Sequence, residues 1–405
     1  MEKSMKVLMF STDKQILDEK SEARKRIGNY GPLFEELHII VFATRKSQIT
    51  NPMLIGRQDK SQINFKLQIS ENVFTYPTNT RFRILYFWDA YKIGKNIIRN
   101  WELEIRNCAI SAQDPFETGL VGWCLKKKFN LSLQLQIHAD IFSPYFYSES
   151  FKNKLRVWLA KFLLPRADGI RVVSERIKQS LLALYPKPHT LRPISVLPIL
   201  VDVKKIQTAK IKIDLRQKYS DRDFIILMAS RLTQEKNIGL GIEAMREVAE
   251  KYPKSLLVIV GNGPKHEALK LQITNYKLQN NIILEPWTDD LASYYKTADI
   301  FLLTSNYEGY GRTIVEAMAA GLPVVMTDVG LAGELLIDDL DGWVVPVGDE
   351  RALAKAILES KENSFKREEF KQNALRLLQN WPKQEEYWKQ YRDCLESAGA
   401  VKMVK

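Results

Sequence analysis

Ile300 to Leu303 is an uninterrupted apolar run, followed by the polar loop Thr304-Ser305-Asn306-Tyr307-Glu308-Gly309-Tyr310-Gly311-Arg312 and then an Ala-rich stretch to Gly321. Such a run reads as a strand buried on both faces, and the Ala-rich stretch as a helix. A strand, a glycine loop and a helix start, in that order, point to a parallel sheet whose ligands gather at the carboxyl ends of its strands. The scheme occurs in both halves. Apolar runs at 5–10, 37–43, 106–111, 131–138, 169–173 and 194–197 alternate with helical stretches, and so do those at 224–229, 256–260, 282–284, 300–303, 324–327 and 343–345. The expectation is an α/β chain of two Rossmann-like, doubly wound parallel sheets facing across a cleft.

With 405 residues, 45% of them hydrophobic, the chain can build two cores. The break is expected at Leu197-Pro198-Ile199-Leu200-Val201-Asp202 and the basic stretch Lys204 to Lys212, giving domains 1–199 and 200–383. Charge divides at the same place: residues 1–199 carry 31 Lys+Arg against 18 Asp+Glu, and residues 200–405 carry 29 against 30. An anionic partner is therefore expected for the first half. Basic and aromatic residues interleave at 81–88 and 151–162, and the second stretch reads as an amphipathic basic helix suited to an anionic membrane surface. Cys108, Cys124 and Cys394 are too few and too scattered for a disulfide framework, which predicts a reducing, cytoplasmic setting. No apolar run is long enough to span a bilayer, so contact with the inner membrane face would be peripheral.

The loop after 300–303 carries the chemistry. Gly309 and Gly311 let backbone approach a ligand, and the free N–H groups at the helix start favour an anion. Glu308 before the helix and Glu316 inside it can accept hydrogen bonds from hydroxyls at both ends of one extended ligand. Arg231 and Lys236, five residues apart after the run 224–229, can close on a diphosphate. Gly261 and Gly263 end the next run, Trp287 follows the one after, and His138 and Asp140 end the run 131–138. Asp114 and Gly119 follow the run 106–111.

Glu308 and Glu316, followed by Ala-Met-Ala-Ala-Gly-Leu-Pro-Val-Val and Thr327-Asp328-Val329-Gly330, make the chain resemble the retaining glycosyltransferases of the GT-B fold, family 4 (glycosyl transferases group 1). The likeness covers most of residues 223–350 and, more loosely, the first half. It implies a final helix, within 384–405, that crosses back to the first domain. It also implies that Arg231 and Lys236 stabilise the departing nucleoside diphosphate. Glu308 would hold donor-sugar hydroxyls, Glu316 the ribose, and Gly309, Tyr310, Gly311 and Arg312 the sugar or phosphate through backbone. Gly261, Gly263 and Trp287 would lie near the nucleotide, and His138 and Asp140 beside the sugar. Asp114 and Gly119 would lie on the acceptor side.

The resemblance further implies that the leaving phosphate takes the acceptor's proton, so no dedicated side-chain base is needed; no metal and no cofactor are expected either. The donor would be a nucleotide-sugar, UDP-linked before GDP-linked. The acceptor would be a glycan or lipid-linked hydroxyl in surface glycan or glycolipid synthesis; nucleic acid is not expected. The chain departs from the family pattern at Ile199-Leu200, where Asn-Gly is usual, and in lacking a Gly-Gly loop after its first strand. Ser11 to Arg26 is instead a long charged loop, with Gly28 and Gly31 arriving late. The alternatives are an epimerase or glycan phosphorylase on a similar fold, and a non-catalytic module binding anionic glycan or nucleic acid.

Overall fold

The computed structural model describes residues 5–44, 66–101, 107–187 and 190–400. Its first sheet comprises β1 (Lys6–Ser11), β2 (Glu36–Val41), β3 (Leu67–Ser70), β4 (Val73–Pro77), β5 (Cys108–Ala112), β6 (Ser132–Ile137), β7 (Gly169–Val172) and β8 (Ile194–Val196). They lie in the order β3-β4-β2-β1-β5-β6-β7-β8. The second comprises β9 (Phe224–Ala229), β10 (Ser255–Val260), β11 (Ile282–Glu285), β12 (Ile300–Leu303), β13 (Val324–Thr327) and β14 (Trp343–Val345), in the order β11-β10-β9-β12-β13-β14. Every pairing is parallel except β3 with β4. Helices cover both faces, which is why β9, β10, β12 and β13 are buried throughout and read as plain apolar runs.

Chain order reverses beside β1 in the first sheet and beside β9 in the second, where β10 and β12 flank it. Helices on opposite faces part at such a point and leave a crevice at the carboxyl ends of the strands.

Three details differ from the sequence expectations, and one falls outside the described residues. The antiparallel edge pair β3–β4 was not foreseen, because Leu67–Ser70 is only half-buried and Val73–Pro77 ends in a proline. Arg106, the expected start of β5, lies outside the described residues, as do residues 401–405. The charged loop 11–26 is largely helical: Asp13 caps Lys14–Leu17 and Ser21 caps Glu22–Gly28. The basic hinge stretch is helical too, since Asp202 caps Val203–Thr208, which packs on the helix Arg312–Ala319.

The final helix, Gln384–Ala400, lies against β5, β6 and β7 of the first sheet. Its stripe of Tyr387, Trp388, Tyr391 and Leu395 is buried with Met9, Tyr30 and Phe34. No helix among the described residues is long and apolar enough to cross a membrane.

Candidate active site

The loops after β9 and β12 are stitched together. The Thr304 hydroxyl donates to the carbonyls of Lys236 and Asn237, each at 3.0 Å, and the Asn306 N–H donates to the Glu235 carbonyl at 2.8 Å. The Asn237 amide donates to Asn306 at 3.0 Å. These bonds hold Lys236 so that its ammonium pairs with Glu308, and the Ser305 hydroxyl donates to the same carboxylate at 2.8 Å. Gly311 adopts φ of 88°, a conformation costly for other residues, and turns the chain into Arg312–Ala319. The N–H groups of Arg312 and Thr313, in the first turn of that helix, have no carbonyl partner within it.

A cavity of about 200 Å³ opens here, lined by the ends of β9 and β12 together with Arg231, Lys236, Trp287, Ser305 and Thr313. Lys236 and Glu308 are mostly buried, whereas Arg231 is exposed and paired with Glu235 at 3.2 Å. Glu316 is 9% exposed, held by Arg312 Nε at 2.7 Å and by the Tyr295 hydroxyl at 3.1 Å. Burial and the Glu316 carboxylate together keep the Tyr295 phenol protonated, far above its ordinary pKa. The structure thus brings Arg231, Lys236, Trp287 and the helix start to one cavity, with Glu308 joined to it through Lys236 and Glu316 one turn further along the helix.

Gly261 and Gly263 serve this site at one remove. A Cβ on Gly261 would stand 1.9 Å from the Ser230 carbonyl oxygen, and one on Gly263 would stand 2.4 Å from that of Leu232, so both glycines press on the loop that carries Arg231. Tyr310 is buried, and Arg312 is half-exposed and turned toward Glu316.

The first domain meets this loop directly. A Cβ on Gly309 would stand 2.0 Å from the His138 carbonyl oxygen, and the Gly309 carbonyl accepts from Ser174 Oγ at 2.8 Å. Arg176 reaches Asp328 at 2.5 Å, and the Tyr307 hydroxyl donates to Glu149 at 2.6 Å. His138 is exposed at the strand end, while its Nε2 bonds to the buried Gln136 at 3.0 Å. Desolvation, then Arg171 and Arg26, push its pKa down to about 3. Asp140 sits at the same strand end, and burial raises its pKa against the N–H groups of Phe142 and Ser143.

The acceptor-side expectations fare differently. Asp114 caps the helix Glu117–Phe129, accepting from Phe116 N–H at 2.9 Å and Thr118 N–H at 3.3 Å. Desolvation, reinforced by Glu117, pushes its pKa up to about 6. Gly119 is buried between the Asp114 carbonyl, Leu135 and Leu163, so it admits close packing and does not line the crevice. Gly28 ends a helix, and Gly31 lies against Asn72.

Sequence reasoning missed Ser174, Arg176, Ser305 and Tyr307. Ser174 was visible only as a helix cap before Glu175, because its bond to Gly309 joins residues far apart in the chain. Among the described residues, no group of three or more His, Cys, Asp or Glu could hold a metal ion.

Residues 211–377 match the model of the family described as Glycosyl transferases group 1. The alpha-monoglucosyldiacylglycerol synthase of Streptococcus pneumoniae is 29% identical over 69% of this chain, and the match spans 63% of that protein's length. Among solved structures, the sucrose-phosphate synthase of Thermosynechococcus elongatus superposes with a TM-score of 0.76 at 19% identity, covering 98% of this chain and 100% of that one. The Anabaena protein Alr3699/HepE, in complex with UDP and glucose, gives 0.69 at 20% identity over 99% of both chains. The two facing α/β domains are a GT-B fold, and residues 211–377, most of the second domain, carry the match to the group 1 glycosyl transferases.

Proposed function

We propose that this chain transfers a sugar from a nucleoside diphosphate sugar to a hydroxyl of a glycan or lipid-linked acceptor, with retention of configuration and without a metal. One observation carries the reading: the Lys236–Glu308 pair stands at the start of Arg312–Ala319, beside a cavity at the point where strand order reverses. The cation and the free N–H groups of the helix suit a diphosphate, and the carboxylate suits sugar hydroxyls. In the proposed reaction the bond from anomeric carbon to diphosphate oxygen breaks, and a bond to the acceptor oxygen forms on the same face. The acceptor's proton passes to the leaving phosphate, whose charge Lys236 and Arg231 offset. Glu316 would take the ribose, and His138, neutral at physiological pH, would bound the sugar from the other domain.

UDP is the favoured nucleotide; the likeness to Alr3699/HepE, in complex with UDP and glucose, supports it. The likeness to alpha-monoglucosyldiacylglycerol synthase supports a lipid-linked acceptor. The test is a thermal-shift panel of nucleoside diphosphates and their sugars, followed by transfer assays with and without a chelator. Stabilisation by UDP or a UDP-sugar, and chelator-insensitive transfer with retained configuration, are expected. No stabilisation by any nucleotide overturns the reading, and so does conversion of the donor sugar in the absence of an acceptor.

A further inference from the structure

The surplus positive charge of the first half coincides with exposed apolar side chains on one part of its surface. The segment entering the helix Tyr86–Asn100 exposes Phe82 (58%), Ile84 (84%) and Trp88 (60%). The helix Phe151–Leu163 exposes Phe151 (76%), Leu155 (54%) and Trp158 (68%). On that second helix Asn153, Val157, Ala160 and Leu163 already face the core. Phe151, Leu155 and Trp158 therefore form a second stripe, on the opposite side, that stays largely exposed, with Trp158 stacked on Phe162 at 6.3 Å.

Chain order brings the two groups to one end of the sheet. Tyr86–Asn100, Glu117–Phe129 and Phe151–Leu163 each begin at the carboxyl ends of the parallel strands, and the middle helix contacts both others. Arg156 bridges to Glu117 at 3.0 Å, fixing the start of the third helix against the start of the second. That end is the rim of the crevice, since Glu149, just before Phe151, receives the Tyr307 hydroxyl.

Single exposed apolar residues are ordinary, but two clusters of large ones at one edge are not. Their surroundings are cationic: residues 81–99 hold five basic side chains against one acidic, and residues 151–166 hold five against none. Lys152 and Arg156 share Glu117, at 3.4 and 3.0 Å, so that carboxylate offsets part of the second group's charge and leaves a cationic surplus that includes Lys154 and Lys161. Such a face repels a second copy of itself and attracts an anionic surface.

We propose that this rim docks on an anionic lipid bilayer, with Phe82, Ile84, Trp88, Phe151, Leu155 and Trp158 entering the headgroup region and the flanking Lys and Arg meeting lipid phosphates. Aromatic rings favour that interfacial depth, and cations beside them add attraction that salt weakens. The inference goes beyond the sugar-transfer reading and does not rest on it.

The test is co-sedimentation of the full chain with vesicles of phosphatidylglycerol mixed into phosphatidylcholine, at low and high salt. Binding to the anionic vesicles is expected, with little to phosphatidylcholine alone and less at high salt. The double variant Ile84→Glu, Trp158→Glu should lose at least roughly tenfold in partition. Lys154→Gln and Lys161→Gln should each lose roughly fivefold. All four side chains are exposed, and an unchanged Tm in the variants confirms that the fold survives. Wild-type protein that ignores anionic vesicles, or a double variant that binds as well as wild type, overturns the proposal. A dimer that the double variant dissociates, without vesicle binding, also overturns it by assigning the face to a second copy. Because no sugar donor is present, the outcome is independent of whether UDP binds.

Discussion

Gln136 Oε1 accepts a hydrogen bond from Arg171 at 2.9 Å and another from His138 Nε2 at 3.0 Å. A guanidinium only donates, so the amide oxygen must face Arg171, while Gln136 Nε2 donates to Ser111 at 2.8 Å and Tyr391 at 3.3 Å. The network therefore places the His138 proton on Nε2 and leaves Nδ1 as the ring's acceptor.

Nitrogen-15 NMR of labelled protein should show His138 as a neutral ring protonated at Nε2 throughout the neutral range, because its pKa is lowered. Gln136→Met should erase that tautomer preference. It should also destabilise the protein by about 1–3 kcal/mol, since the buried Arg171 loses an acceptor. An Nδ1-protonated ring in the wild type would contradict the network.

Lys236→Ala should lower kcat for sugar transfer by about 10²–10³, the usual effect of removing one preorganised group that stabilises developing charge. Circular dichroism should report an intact fold, because the loop keeps its Thr304 and Asn306 bonds. Turnover equal to wild type would remove Lys236 from the site.

Gly309→Ala drives a methyl group into the His138 carbonyl oxygen, which is backbone and cannot swing away. The domains must part at that point, at a cost of about 1–3 kcal/mol. Small-angle scattering should show a more open particle, and transfer should fall more than UDP affinity does. His138→Ala should not rescue it, since the clash is with the main chain.

Asp114 has a folded pKa of about 6, above the ordinary carboxyl value of about 3.9. The native state therefore holds the proton more tightly. The stabilisation this gives is complete below the unfolded value and is lost as pH rises through the folded one. Asp114→Asn keeps an oxygen for the Phe116 and Thr118 N–H groups without a charge to desolvate. The variant should match wild type near pH 4 and exceed it by roughly 2 kcal/mol at pH 8, a figure discounted because part of the carboxyl meets water. Melting curves at the two pH values decide it, and a difference that does not change with pH refutes the assignment.

The second sheet was legible because strands buried on both faces leave only apolar residues to write, and Phe224–Ala229 and Ile300–Leu303 emerge with the bounds read from sequence. β3 and β4 were not, because an edge pair with one wet face dilutes that signal; Glu71-Asn72, between two β-rich runs, was the turn that marked it. The residues around the cavity could be named from local order, since strand ends must gather at the reversal point. Asp114 and Gly119 could not be placed, because a capping acid and a packing glycine use the same residue types as a ligand loop. Contacts such as Ser174 with Gly309 depend on how two domains meet, which no local pattern encodes.

Tyr30 stacks on Tyr391 with ring centroids 4.9 Å apart, and Trp388 meets it edge-on at 4.8 Å. During synthesis the ribosome delivers the first of these rings long before the other two, so the earlier half must wait with an aromatic socket unfilled while the later half can already close. Folding should thus run against the direction of translation, and a protease that clips the helix Gln384–Ala400 would return the opening sheet to that sticky, chaperone-dependent condition.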